Sequence, residues 1–177
     1  MSKAIFFDRD GIINQAYVVA NKPYPPANVS ATKLVEGIEE LLSYTQDKDF
    51  LNIVVSNQPD VARGIQTWNH VQNITDYLYK NLSQIYDIYY CYHSDEDECE
   101  CRKPKSGLLR FAQQDHHIDL IQSWMIGDRK SDIDAGKNVG CRTIFVDYGY
   151  DEPKPENADY VVNSVKEIIN IFKKELE

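Results

Sequence analysis

The chain has 177 residues, 42% of them hydrophobic and 27% charged, with a formal net charge of -9. That length suits one domain with one core, and the composition excludes a collagen-like or wholly disordered chain. The negative balance excludes a nucleic acid as the expected partner, because the one basic cluster, Arg102-Lys103-Pro104-Lys105, is short and sits beside acidic Asp95-Glu96-Asp97-Glu98. Such a cluster suits a single phosphate better than a polymer. No membrane partner is expected, since no run nears the roughly 18 apolar residues of a spanning helix, and Asp8 cuts short the only apolar stretch near the start. The expectation is a cytoplasmic monomer with a small partner.

In chain order, apolar or β-branched runs at Ala4–Phe7, Asn52–Val55, Ile88–Tyr90, Trp124–Ile126, Thr143–Val146 and Tyr160–Val162 read as buried strands. Between them, helical spacing joins Leu34, Ile38, Leu41 and Leu42, then Val71, Ile74, Leu78 and Leu82, then Leu108, Leu109 and Phe111. A last helix carries Val165, Ile168, Ile169 and Phe172 on its buried face. Strands alternating with helices predict a doubly wound α/β fold with a mainly parallel, Rossmann-like sheet. Ala16–Thr32, with Pro23, Pro25 and Pro26, and Tyr92–Ser106, polar and rich in Cys and charge, are expected to be irregular loops. Neither is long enough for a large cap, so residues 1–177 are read as a single domain.

Asp8-Arg9-Asp10-Gly11 follows the first predicted strand directly, which puts two carboxylates at the strand's carboxyl end, the edge where open α/β sheets bind ligands. An acidic pair followed by a Gly suits Mg2+, a hard ion that takes oxygen ligands, and equally suits a solvated acidic turn. Three further strand ends weigh against the turn. Ser56-Asn57-Gln58 follows the second strand, Arg102-Lys103-Pro104 follows the third and its loop, and Gly127-Asp128-Arg129-Lys130-Ser131-Asp132 follows the fourth. Separately these could be a helix cap, a solvated lysine and another cap. Together they would bring a nucleophilic acid, a hydroxyl, a lysine and a metal-binding acid to one sheet edge.

A second cluster is local. Cys91-Tyr92-His93 and Cys99-Glu100-Cys101 supply three thiolates and an imidazole, the inventory of a closed structural Zn2+ site. Four protein ligands leave no water position, so Zn2+ on Cys91, His93, Cys99 and Cys101 would fold a loop at about 91–103 that delivers Arg102 and Lys103. Cys141, near a strand, reads as a small core residue.

With Asp8-Arg9-Asp10-Gly11, Ser56-Asn57-Gln58, Lys103 and Gly127-Asp128 with Asp132 on the page, the chain resembles the haloacid dehalogenase superfamily of phosphatases. Within it, Asp8 to Asn14, Ala62-Arg63-Gly64 and Cys101-Arg102-Lys103-Pro104 resemble the heptose 1,7-bisphosphate phosphatases. The short gap between the two Cys-containing pairs is closer to the related histidinol-phosphate phosphatases. The resemblance implies that Asp8 attacks phosphorus, that Asp10 serves as acid and base, and that Ser56 and Lys103 support the transferring phosphate. It further implies Mg2+ on Asp8, Asp128 and the Asp10 backbone carbonyl, with Asp132 in support, and substrate contacts from Asn57, Gln58, Arg102 and Arg129. The implied substrate is a small phosphorylated metabolite, a heptose 1,7-bisphosphate ahead of histidinol phosphate. A catalytically silent phosphate-binding module is the reading from another class, and the joint presence of Asp8, Asp10, Lys103 and Asp128 weighs against it.

Overall fold

The computed structural model describes residues 1–176. Its frame is a sheet of six strands: β1 (Lys3–Phe7), β4 (Phe50–Asn57), β5 (Ile85–Cys91), β6 (Trp124–Gly127), β7 (Arg142–Val146) and β8 (Tyr160–Val162). The spatial order is β5-β4-β1-β6-β7-β8, and every pairing is parallel. The helices are α1 (Ile38–Asp47), α2 (Trp68–Asn81), α3 (Gly107–His116), α4 (Lys130–Lys137) and α5 (Ile168–Glu175).

Side-chain alternation along the strands explains the layering. On β1, Ile5 and Phe7 join Ile38, Leu41, Ile74, Leu78, Ile168 and Phe172, so α1, α2 and α5 cover one face. Ala4 and Phe6 join Leu108, Leu109, Ala112 and Ala135, so α3 and α4 cover the other. Both faces of β1 are buried, which is why parallel strands of this kind read as unbroken apolar runs. From β1 the chain winds outward through β4 and β5, then returns to β6 on the other side. The reversal lies between β1 and β6, and in open α/β sheets a crevice forms there, beyond the carboxyl ends of the strands.

Four expectations change. The predicted loop Ala16–Thr32 contains an antiparallel hairpin, β2 (Tyr17–Val19) with β3 (Lys22–Tyr24), and a 3-10 turn at Val29–Ala31. Ala20 and Asn21 both take positive φ, 48° and 60°, the backbone of a two-residue turn matched to strand twist. Leu34 precedes the first helix and bridges Asn14 instead, because the chain turns through left-handed Gly37 and α1 starts only at Ile38. Phe111 is 48% exposed, since it lies about 110° around the helix from the centre of the buried stripe of Leu108, Leu109 and Ala112, on its flank. Val165 is buried in a 3-10 turn that precedes α5. The loop after β5 is irregular as expected apart from one 3-10 turn, Asp95–Asp97, and Cys141 is buried in the core. Among the described residues no large cap interrupts the sheet, and no helix is long and apolar enough to cross a membrane.

Candidate active site

Asp8 continues β1 by one residue, its amide donating to the Ile126 carbonyl of β6 at 2.9 Å. Asp128 follows the last residue of β6. Asp8, Asp128 and Asp132 each place a carboxylate oxygen within 4.8 Å of the other two. Two glycines permit this crowding. A Cβ on Gly11, whose φ is +100°, would lie 2.0 Å from Asp128 Oδ2, and a Cβ on Gly127 would lie 2.2 Å from the Asp132 Cβ. The Gly11 carbonyl is pinned by the Tyr148 hydroxyl at 2.8 Å, which holds the tight turn in place.

Lys103 enters this cluster from the far end of the loop after β5. Its ammonium donates to Asp8 Oδ1 at 2.7 Å, Asp132 Oδ1 at 2.6 Å and the Val55 carbonyl at 2.8 Å. An ammonium has three donors, and all three are taken. Burial opposes the charge on Lys103, but Asp132 and then Asp8 outweigh it and hold the ammonium above its ordinary range. Asn57 clamps the backbone of the same residue, its amide donating to the Lys103 carbonyl at 3.0 Å and its oxygen accepting from the Lys103 N–H at 3.1 Å.

Of the three buried carboxylates, Asp8 and Asp132 pair with the ammonium and Asp128 does not. Burial, then Asp132, pushes the Asp8 carboxyl up to about 6 despite the pull of Lys103. Burial, then Asp8 and Asp132, raises the Asp128 carboxyl well above its ordinary range against the pull of Arg129 and the nearby Tyr150 hydroxyl, and neither of its oxygens has a partner at hydrogen-bond distance. An unpartnered buried carboxylate is costly, and a divalent cation would balance the charge left over. The donor set fits a hard cation such as Mg2+.

Asp10 belongs to a different set of contacts. Its Oδ1 accepts from Arg9 Nε at 3.2 Å and Asn14 Nδ2 at 2.9 Å, and its Oδ2 from Arg9 Nη2 at 3.0 Å and Gln58 Nε2 at 2.8 Å. Its carboxylate is thus engaged outside the Asp8, Asp128 and Asp132 group, and only its backbone carbonyl remains as the expected ligand. Gln58 also donates to Ser56 Oγ at 2.9 Å, and both are buried behind Asp10. Arg9, fully buried, stands within Asp8-Arg9-Asp10-Gly11 in the sequence reading but is given no role there.

These groups open on a cleft of about 340 Å³ lined by Asp8, Asp10, Asn57, Lys103, Arg129 and Asp132 among others. Such a volume is that of a small-ligand site. Arg129 lines the cleft and its Nη2 donates to Glu152 at 2.7 Å and to the Pro23 carbonyl at 3.3 Å, tying the β2–β3 hairpin to the loop after β7. Arg102 lies outside this lining and donates to Asp95. Tyr24, Ile65, Arg63 and Ser131 also line the cleft. Of these, Arg63 entered the sequence reading within Ala62-Arg63-Gly64 and Ser131 within Gly127-Asp128-Arg129-Lys130-Ser131-Asp132; Tyr24 and Ile65 carry no motif by which sequence alone could have found them.

The second cluster is also assembled. Cys91 Sγ lies 3.0 Å from Cys101 Sγ and 3.6 Å from Cys99 Sγ, and His93 Nδ1 lies 3.3 Å from Cys101 Sγ and 3.6 Å from Cys91 Sγ. The thiols are free, not bonded in disulfides. Ligands about 2.0–2.3 Å from one tetrahedral Zn2+ would stand roughly 3.6–3.8 Å apart, so three S and one N at these spacings fit such an ion with small adjustments.

Comparison with known proteins supplies the family. The HAD-hydrolase-like family matches residues 100–168. The D-glycero-beta-D-manno-heptose-1,7-bisphosphate 7-phosphatase of Haemophilus ducreyi is 32% identical over 181 residues, covering 94% of this chain and 96% of its own. The D-glycero-alpha-D-manno-heptose-1,7-bisphosphate 7-phosphatase of Campylobacter jejuni is 34% identical over 177 residues, covering 97% and 96%. The fold matches the D,D-heptose 1.7-bisphosphate phosphatase of B. bronchiseptica, a structure complexed with magnesium and phosphate, with a TM-score of 0.82 at 23% identity over 98% of this chain and 99% of that one. Relatives this similar along nearly their whole length show that the chain belongs to the D-glycero-D-manno-heptose-1,7-bisphosphate 7-phosphatase family of haloacid dehalogenase-like hydrolases, and is a phosphatase.

Proposed function

We propose that this cytoplasmic, single-domain phosphatase removes the 7-phosphate of D-glycero-D-manno-heptose 1,7-bisphosphate through an aspartyl-phosphate on Asp8. The carrying observation is the buried cluster at the reversal of the sheet, where Asp8, Asp128 and Asp132 stand together and the ammonium of Lys103 pairs with only Asp8 and Asp132. A site of this kind is costly without a cation and suited to phosphoryl transfer with one. The names of the relatives, which include both anomers, support the substrate.

In this reading Lys103 fixes one oxygen of Asp8 and so orients the carboxylate toward phosphorus. Attack forms an Asp8–phosphorus bond and breaks the bond between phosphorus and the sugar oxygen, whose electron pair takes a proton from Asp10. Water then attacks the acyl phosphate, Asp10 takes its proton, and inorganic phosphate leaves with Asp8 restored. Acid and base help of this kind contributes about 10²–10⁴-fold. Gln58, Asn14 and Arg9 hold Asp10 in one orientation for both proton transfers. Ser56 accepts from Gln58, which leaves its own proton for a phosphate oxygen. Lys103 has no spare donor, so it acts by charge and by position. When bound by Asp8, Asp128 and the Asp10 carbonyl, Mg2+ supplies positive charge against the oxygens of the phosphoryl group. Zn2+ on Cys91, His93, Cys99 and Cys101 is proposed as structural, ordering the loop at about 91–103 that brings Lys103 into the site. Asn57 positions Lys103, while Arg102 and Arg129 serve the substrate's polar groups from the rim.

The test is phosphate release with Mg2+ from both anomers of the heptose bisphosphate and from histidinol phosphate, comparing wild type with Asp8→Asn. Release of the 7-phosphate, with the 1-phosphate kept on the sugar and no turnover by Asp8→Asn, is the expected result. A higher kcat/KM for histidinol phosphate would overturn the substrate assignment, and no release from any of them would overturn the enzyme.

A further inference from the structure

The loop that carries the thiol cluster folds its acidic stretch back onto the arginine beside Lys103. Asp95, in the 3-10 turn Asp95–Asp97, accepts from Arg102 Nε at 2.6 Å through Oδ1, and its Oδ2 lies 3.6 Å from Arg63 Nη2. One carboxylate therefore joins two guanidinium groups from two different loops. Arg63 lines the cleft, and Asp60 reaches it at 3.3 Å. Arg102 has a buried Nη1 without a partner, so its fork is half used. The Asp95 side chain is 74% exposed, which makes both ties weak and readily exchanged. A phosphate dianion brings more charge and more acceptor oxygens to the same two forks, and arginine binds it in bidentate fashion.

We propose that Asp95 is a built-in competitor for the second, non-reacting phosphate of the substrate, holding Arg63 and Arg102 until that phosphate displaces it. This inference rests on the bisphosphate reading above. Its consequence is a moderated hold on the bisphosphate. A bisphosphate must displace Asp95 and recovers that cost through two arginine forks, whereas a monoester that does not reach the forks leaves Asp95 in place and is indifferent to it.

The experiment measures KM and kcat of wild type and Asp95→Asn on heptose 1,7-bisphosphate and on p-nitrophenyl phosphate, with bound zinc measured for both proteins. Loss of one exposed ion-pair partner corresponds to a two- to fivefold change, so KM for the bisphosphate is expected to fall by about that factor. The KM for p-nitrophenyl phosphate, kcat and zinc content stay as in wild type. Asp95→Ser removes the same charge with a smaller side chain and gives the same shift. A bisphosphate KM that is unchanged or raised in both variants overturns the inference, as does an equal fall for both substrates. A wild type with no preference for the bisphosphate over p-nitrophenyl phosphate overturns the substrate reading instead, so the two failures are distinguishable.

Discussion

The two ligand clusters of this molecule are built in opposite ways. Asp8, Asp128 and Asp132 are buried, come from the ends of two strands more than a hundred residues apart, and repel one another. Cys91, His93, Cys99 and Cys101 lie within eleven positions, on a strand end and an irregular, partly exposed loop. The carboxylates are held together against their own charge by a sheet whose core would form without them. The thiols pack against the edge of the core, while the chain between them, Tyr92 to Glu98, is irregular and largely exposed, so a metal there contributes folding energy. Strain at the first cluster is available for chemistry, and order at the second decides whether Lys103 arrives to balance it.

The largest expected effect falls on the carboxylate side. Asp8→Asn lowers phosphate release by roughly 10⁴-fold or more, because no other group can carry the covalent intermediate. Lys103→Met comes next. It leaves buried Asp8 and Asp132 without their cation, beside Asp128, and destabilises the metal-free fold by about 3–5 kcal/mol, measurable by urea unfolding in chelator. If stability hardly moved, the ammonium would not be the counterweight described here.

The same imbalance predicts an unusual pH dependence. Asp8 in the fold is raised to about 6 from 3.8, so the folded state holds a proton that the unfolded chain has lost between these values. Stability is therefore greatest below this window and falls as pH rises through it, by roughly 3 kcal/mol, or about 6–12 °C in melting temperature. Asp128 works in the same direction. Asp147, held below its ordinary range by Lys154, works in the opposite sense and loses its contribution below about pH 4. Metal-stripped protein should thus melt higher near pH 5 than near pH 7, and Mg2+ should recover the loss at pH 7. A stripped protein that melts lower at pH 5 would contradict the account. The smallest of these effects belongs to the thiol side. Cys101→Ser should lower kcat/KM about tenfold and speed proteolysis between Tyr92 and Glu100, while Asp8 and Asp128 still share their cation.

The contrast also separates what could be read in the sequence from what could not. Buried parallel strands announce themselves as apolar runs, and Asp8, Ser56 and Asp128 follow such runs directly, so the sheet edge was legible. The thiol set was legible from spacing alone. The β2–β3 hairpin was not, because Tyr17, Val18 and Val19 are all exposed, so no alternation of burial marks β2, β3 is only three residues around Pro23, and the turn uses Ala20-Asn21 instead of a glycine pair. Arg9 was hidden for another reason. Arginine is almost never fully buried, and nothing in Asp8-Arg9-Asp10 says that the middle residue turns inward to grip Asp10. Ser56 and Gln58 were expected at the phosphate and at the mouth of the site; their hydrogen bonds behind Asp10 depend on the curvature of the chain after β4, which residue type does not reveal.

The most direct measurement is the anomalous difference map of crystals soaked in Mn2+ in place of Mg2+, with phosphate present. The account predicts a single strong peak within bonding distance of both Asp8 and Asp128, with phosphate between it and Lys103. A cation bound away from either aspartate, or two ions each bound by one of them, would contradict it.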